Sequence, residues 1–184
     1  SGYAGINDQG QYGGSGVSGL LSTYWGGGGG GANTIGNTAT QPLISPTGGA
    51  GTNAFAVFLK DSGNNGVRVG DATSGDYYMC GGGAGSRRDG GVFYAGGIGG
   101  GGSSGYPAGT SGNTRSGGGG GAGALNSSAG GTGGSGGSGI VVLRWPMKYN
   151  YNYLAQGATT GSPWVYHANG YTYYTFTGSG SITF

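Results

Sequence analysis

Nucleophilic chemistry in this chain would have to run through one pair of residues, because it holds a single cysteine, Cys80, and a single histidine, His167. A thiol nucleophile needs an oriented base and a third group to hold that base. No residue stands at a spacing that supplies the third group. Cys80 therefore reads as a small buried hydrophobe. His167, in Val165-Tyr-His-Ala-Asn-Gly170, reads as a turn residue beside its Asn-Gly neighbour. One Cys and one His cannot build a structural zinc site, and no paired-His spacing occurs. Asp71 and Asp76, with Asp61 nearby, could supply oxygen ligands to calcium, but their spacing matches no EF-hand loop. Two turn aspartates is the plainer reading. The glycine runs invite a phosphate-loop reading, yet none is followed by Lys and no helix follows. Neither catalytic residues nor a cofactor are expected.

Recognition chemistry is better supplied. Half of the aromatic residues, 11 of 22, lie from Trp145 onward, among them Tyr149, Tyr151, Tyr153, Trp164 and Tyr166. Tyr and Trp among Asn, Ser and Gly make adaptable binding surfaces at low side-chain entropy cost. The alternation Tyr149-Asn-Tyr-Asn-Tyr153 would set three tyrosines on one face of a strand. Such rings can stack on sugars, with the Asn amides bonding hydroxyls. The same rings could instead be buried at a joint with a neighbouring repeat or subunit, since an exposed patch of that size would be adhesive. Nucleic acid is not an expected partner. The net charge is only +2, and of the seven basic residues only Arg87 and Arg88 are adjacent, whereas a phosphate-tracking surface needs a basic stripe. No apolar run reaches the ~20 residues that span a bilayer, so membrane insertion is not expected. Ser1-Gly-Tyr-Ala4 is neither basic nor apolar, so it does not read as a secretory leader.

The elements that must position these residues are unusual. Glycine fills 54 of 184 positions, with 28 of the 59 residues from Gly81 to Gly139 but only 5 of the 45 that follow. Glycine loses the most backbone entropy on folding, so such tracts usually remain disordered. Charge is too scarce, at 7%, for a self-repelling tail. Helix spacing is absent. Strand signals are short: Phe55 to Leu59, Gly66 to Gly70, Val92 to Ala95, and the apolar run Ile140-Val-Val-Leu-Arg-Trp145 closed by Pro146. Tyr171 to Thr177 and Ser181 to Phe184 flank Gly178-Ser-Gly180 and read as a hairpin.

Collagen fails as a reading of the tracts. They are contiguous, no three-residue frame is evident, and there are only 5 prolines. A flexible Gly/Ser linker fits each tract alone but not the apolar strands recurring between them. An extended helix of the polyproline II type, with three residues per turn and no internal hydrogen bonds, fits better. Without side chains such helices can approach closely and bond sideways, satisfying the backbone groups that burial would orphan. The expected fold is mainly β and irregular, a bundle of polyglycine II-type helices packed with short β-strands and little or no α-helix. Tyr24, Trp25, Phe93, Tyr94 and Tyr106, at the run edges, would supply the apolar packing.

The stretch from Ser116 through Gly133-Gly-Ser-Gly-Gly-Ser-Gly-Ile-Val-Val-Leu-Arg-Trp-Pro146 resembles the closing segment of glycine-rich domains in phage tail-fibre and tail-tip proteins. Gly170-Tyr-Thr-Tyr-Tyr-Thr-Phe-Thr-Gly-Ser-Gly-Ser-Ile-Thr-Phe184 resembles their opening segment. The resemblance covers about residues 81–146 and 170–184. It implies a non-enzymatic adhesin on a virion surface or outside the cell, binding a host glycan or outer-membrane protein and joined to other fibre or virion subunits, as a homo-oligomer. It also implies recognition through loops at one end of the glycine bundle, here Ser86-Arg-Arg-Asp89 and Ser103-Ser-Gly-Tyr-Pro107, hence Arg87, Arg88 and Tyr106. The order departs from the family pattern, because the hairpin follows the strand. The chain then divides into a glycine-rich domain at 1–146, a Tyr/Asn-rich connector at 147–169 and a hairpin at 170–184. That hairpin would begin a next repeat or add to a neighbour's sheet, in which case the protein is a filament subunit.

Overall fold

The computed structural model describes residues 10–18, 24–40, 45–56, 58–59, 70–73, 76–88, 92–124, 130–147 and 159–183. They are mainly strands and irregular backbone. The named strands are β1 (Val17–Ser18), β2 (Tyr24–Trp25), β3 (Asp71–Thr73), β4 (Asp76–Tyr78), β5 (Val141–Pro146), β6 (Thr159–Thr160), β7 (Trp164–Ala168), β8 (Tyr171–Phe176) and β9 (Ser181–Ile182).

The glycine tracts belong to no sheet, yet their backbones are hydrogen-bonded to one another in a repeating order. The Gly26, Gly29 and Ala32 N–H groups donate to the Ser86, Gly83 and Cys80 carbonyls at 2.8, 2.8 and 3.0 Å. One chain climbs by three as the other descends by three, so the two tracts are antiparallel. Gly119 and Ala122 donate to Gly81 and Ala84, a parallel pair. Within residues 81–85 the donors fan outward in turn. Gly81 and Ala84 donate to Gly99 and Gly102, whereas Gly82 and Gly85 donate to Gly49 and Pro46. Donor direction therefore repeats every third residue.

Burial follows the same step. Trp25, Gly28 and Gly31 are buried, as are Tyr94, Gly97 and Gly100, and Gly118, Gly121 and Ala124. Residues 81–85 are buried throughout and form the centre of the bundle. Only glycine permits this spacing. A Cβ on Gly82 would run into the Gly29 carbonyl, and one on Gly97 into the Gly49 carbonyl. A three-residue frame does exist in the sequence, contrary to expectation. Gly131, Gly134 and Gly137 are half-buried, while Thr132, Gly133, Ser135 and Gly136 are exposed.

The second region is a sheet of order β5-β8-β7, antiparallel throughout. The apolar run at Ile140 does form the expected strand. The expected hairpin pairing is corrected, however. β8 lies between β5 and β7, and β9 pairs with β6 through Thr159↔Ile182 and Thr160↔Ser181. The tight turn is Asn169-Gly170, whose φ angles of 50° and 76° are those of a two-residue type I′ hairpin loop. With both edges of β8 occupied, Ser181–Ile182 has no place beside it. The sheet also joins residues on both sides of the boundaries expected at 146 and 170. Tyr173 and Tyr174 are almost wholly buried.

Two further strand expectations are corrected. Ala56, Phe58 and Leu59 are helical, with the Leu59 N–H donating to the Phe55 carbonyl at 3.1 Å. The Thr52 hydroxyl accepts the Ala54 N–H at 3.1 Å in the turn that precedes these helical residues. Val92 to Ala95 is not a strand. Tyr94 is held there by Ser104, which accepts the Tyr94 N–H on its hydroxyl and returns its own N–H to the Tyr94 carbonyl. Of Gly66 to Gly70, residues 66–69 lie outside the described residues.

Candidate functional site

The register of the tracts decides which loops meet. Residues 80–86 run toward the end of the bundle where Trp25, Ser86 and Pro46 lie, and 99–105 run the same way beside them. That end carries a small core of Trp25, Ala39, Ala84 and Tyr94. The Trp25 and Tyr94 rings lie 6.4 Å apart at 32°. Arg87 bridges to Trp25 through the backbone and sets its guanidinium 4.6 Å from the Trp25 ring centre, a cation–π contact that fixes a long side chain. Tyr106 precedes Pro107 through a cis bond at the same end, and Tyr106 is 40% exposed. Val92 and Phe93 are exposed as well. Among the described residues the buried Trp25 indole N–H meets no acceptor. This end thus gathers cationic and aromatic side chains on a frame whose sides are almost bare backbone.

The predicted binding residues separate into groups. By tract register Arg87, Arg88 and Tyr106 lie toward the same end of the bundle. Trp164 stands 48% exposed on β7, in the sheet. Tyr166 is buried, its ring stacked on Tyr173 at 4.7 Å and 13°, so packing accounts for it. Tyr149, Tyr151 and Tyr153 lie outside the described residues. Trp25 and Tyr94 were expected to pack and do. Their grouping with Arg87 had no sequence signal, because the contact depends on which tract ends meet.

Asp71 has a structural task. Its Oδ2 accepts the N–H groups of Gly99 and Gly100 at 3.1 and 3.2 Å. Those glycines turn the chain with φ angles of 101° and 86°. Asp76 pairs across the β3–β4 ladder with Thr73. No group of three His, Cys, Asp or Glu residues converges among the described residues. His167 Nδ1 lies 3.0 Å from Thr172 Oγ1 across the hairpin. Cys80, by contrast, opens the central tract. Much of the residue is exposed, but burial pushes the thiol pKa up, which leaves less of the reactive thiolate.

One side of the bundle is open. A groove of about 690 Å³ runs along it, lined by Gly26, Gly29, Gly83, Gly119 and Ala122 among others. Among the described residues no acceptor meets the Gly83 N–H. Compared with family models, with curated proteins and with solved structures, the chain has no match.

Proposed function

We propose that this chain is a non-enzymatic virion-surface or tail-fibre protein that attaches to a host surface, and that its glycine tracts are polyglycine II-type helices. The observation that carries the reading is the three-residue repeat of lateral hydrogen bonds around residues 81–85. A helix with three residues per turn and no internal bonds requires that repeat. The backbone then builds a stiff frame with few side chains, and Val92, Phe93 and Tyr106 are exposed at the loop end. Aromatic rings there can stack on sugar faces, and Arg87 and Arg88 can bond hydroxyl or carboxylate oxygens. The ligand is a glycan or protein of an outer membrane.

The test is binding of the purified chain to bacterial surfaces and to a glycan array. A double variant, Arg87→Ala with Tyr106→Ala, should lose the signal while its folded amide spectrum persists. Undiminished binding by that variant, or no binding by the parent chain, would contradict the proposal.

A second reading, a subunit of a fibre shaft, is favoured by the open groove. Its lining is almost all glycine backbone, against which an added glycine-rich segment could pack. Sedimentation distinguishes the two, since shaft subunits form long polymers and an adhesin stays a discrete oligomer. The pairing of β8 with β5 and β7 of its own chain supports the adhesin over strand donation.

A further inference from the structure

Where the bundle meets the sheet there is a second cavity, of about 570 Å³, bounded by Phe55, Phe58, Met79, Val142, Leu143 and Arg144. Among the described residues of that lining Arg144 is the one charged side chain. Two aromatic rings lie against its guanidinium. The central carbon lies 4.0 Å from the Phe58 ring centre and 4.1 Å from that of Tyr171. The sheet register produces this clamp. Arg144 pairs with Tyr173 and Pro146 with Tyr171, so Arg144 and Tyr171 are diagonal neighbours on one face.

Stacking occupies the faces of a guanidinium and leaves its edge, where all five N–H donors lie. The contacts that Arg144 makes are these two ring contacts and its strand pairing; no ion pair or side-chain hydrogen bond of Arg144 occurs among the described residues. A fixed, weakly hydrated cation edge beside an apolar wall matches one kind of ligand. We propose that this cavity binds a small apolar carboxylate, its alkyl body against Phe55, Met79 and Val142, which shares the Arg144 face of the strand, and its carboxylate on the edge of Arg144. A guanidinium fork meets a carboxylate with two parallel bonds. The apolar lining lowers the local dielectric and strengthens the pair. The volume falls within the roughly 300–1,000 Å³ of ordinary small-molecule sites. The site lies apart from the loop end and does not depend on the attachment reading.

Decanoate, decanol and decyltrimethylammonium share one chain and differ in charge, so their titration against the full chain, followed by amide shifts of residues 140–144, tests the site. Decanoate should bind at least tenfold more tightly than decanol, and the cation should not shift these amides. Arg144→Gln should bring decanoate down to the decanol level. Because Arg144 also packs, Phe55→Glu is the second variant. Phe55 is 55% exposed, so the fold should persist, while a carboxylate at the cavity repels the ligand and weakens decanoate tenfold or more. Equal affinity for decanoate and decanol, binding unchanged in Phe55→Glu, or no decanoate shifts up to its solubility limit would each overturn the proposal.

Discussion

The glycine bundle and the C-terminal sheet solve the same problem by opposite means. In the sheet, β8 is held by large side chains. Tyr173 is fully buried and stacks on Tyr166, and Tyr171 meets Tyr173 edge-on at 6.5 Å. In the bundle, the centre is backbone, and what fixes the packing is the lack of side chains. Burial of apolar area stabilises the first. The second relies on lateral hydrogen bonds, each worth only about 0.5–1.5 kcal/mol net, against a large entropy cost for ordering glycine. The sheet should therefore tolerate shape changes better than the bundle tolerates any added atom.

Substitutions can break that contrast. The largest effect is expected from Gly82→Val, since its side chain would meet the Gly29 backbone and neither tract can yield without losing its bonds. The loss should exceed the roughly 1–3 kcal/mol of ordinary overpacking, and the bundle amides should collapse in the NMR spectrum. Next, Tyr173→Ala should cost about 3–5 kcal/mol in denaturant unfolding, with bundle amides retaining their shifts at low denaturant. If the bundle unfolds with the sheet in that variant, the two regions are one cooperative unit. Gly170→Ala should cost about 1 kcal/mol, because φ there is 76° and an L residue is strained in that region. Gly136→Ala should change stability by no more than about 0.5 kcal/mol, because the nearest atom to its Cβ would be the Gly118 carbonyl oxygen at 3.7 Å.

The two regions also differed in how far they could be read. The strand at Val141–Pro146 was legible because a β-branched run closed by proline has few other uses. Phe55 to Leu59 departs from the strand expectation because five apolar residues fit a helix or a strand equally. Gly178-Ser-Gly180 reads as a hairpin loop, yet Asn169-Gly170 is the stronger two-residue turn signal and forms the turn. In the tracts the three-residue frame was hidden wherever all positions are glycine. It was visible at Thr132, Ser135 and Ser138, three apart, whose carbonyls accept from Gly109, Gly112 and Gly117. Of the site, Arg87, Arg88 and Tyr106 were reached through the resemblance. The meeting of Arg87 with Trp25 depends on tract order, which composition does not encode.

Amide hydrogen exchange across residues 131–139 tests the three-residue repeat most directly. Gly134 and Gly137 donate to Gly121 and Gly118, whereas no acceptor meets Gly133 or Gly136 among the described residues. The account predicts slow exchange at Gly134 and Gly137 and fast exchange at Gly133 and Gly136. Uniformly fast exchange would mean an unfolded tract, and protection alternating every second residue would mean a β-strand; either result contradicts it.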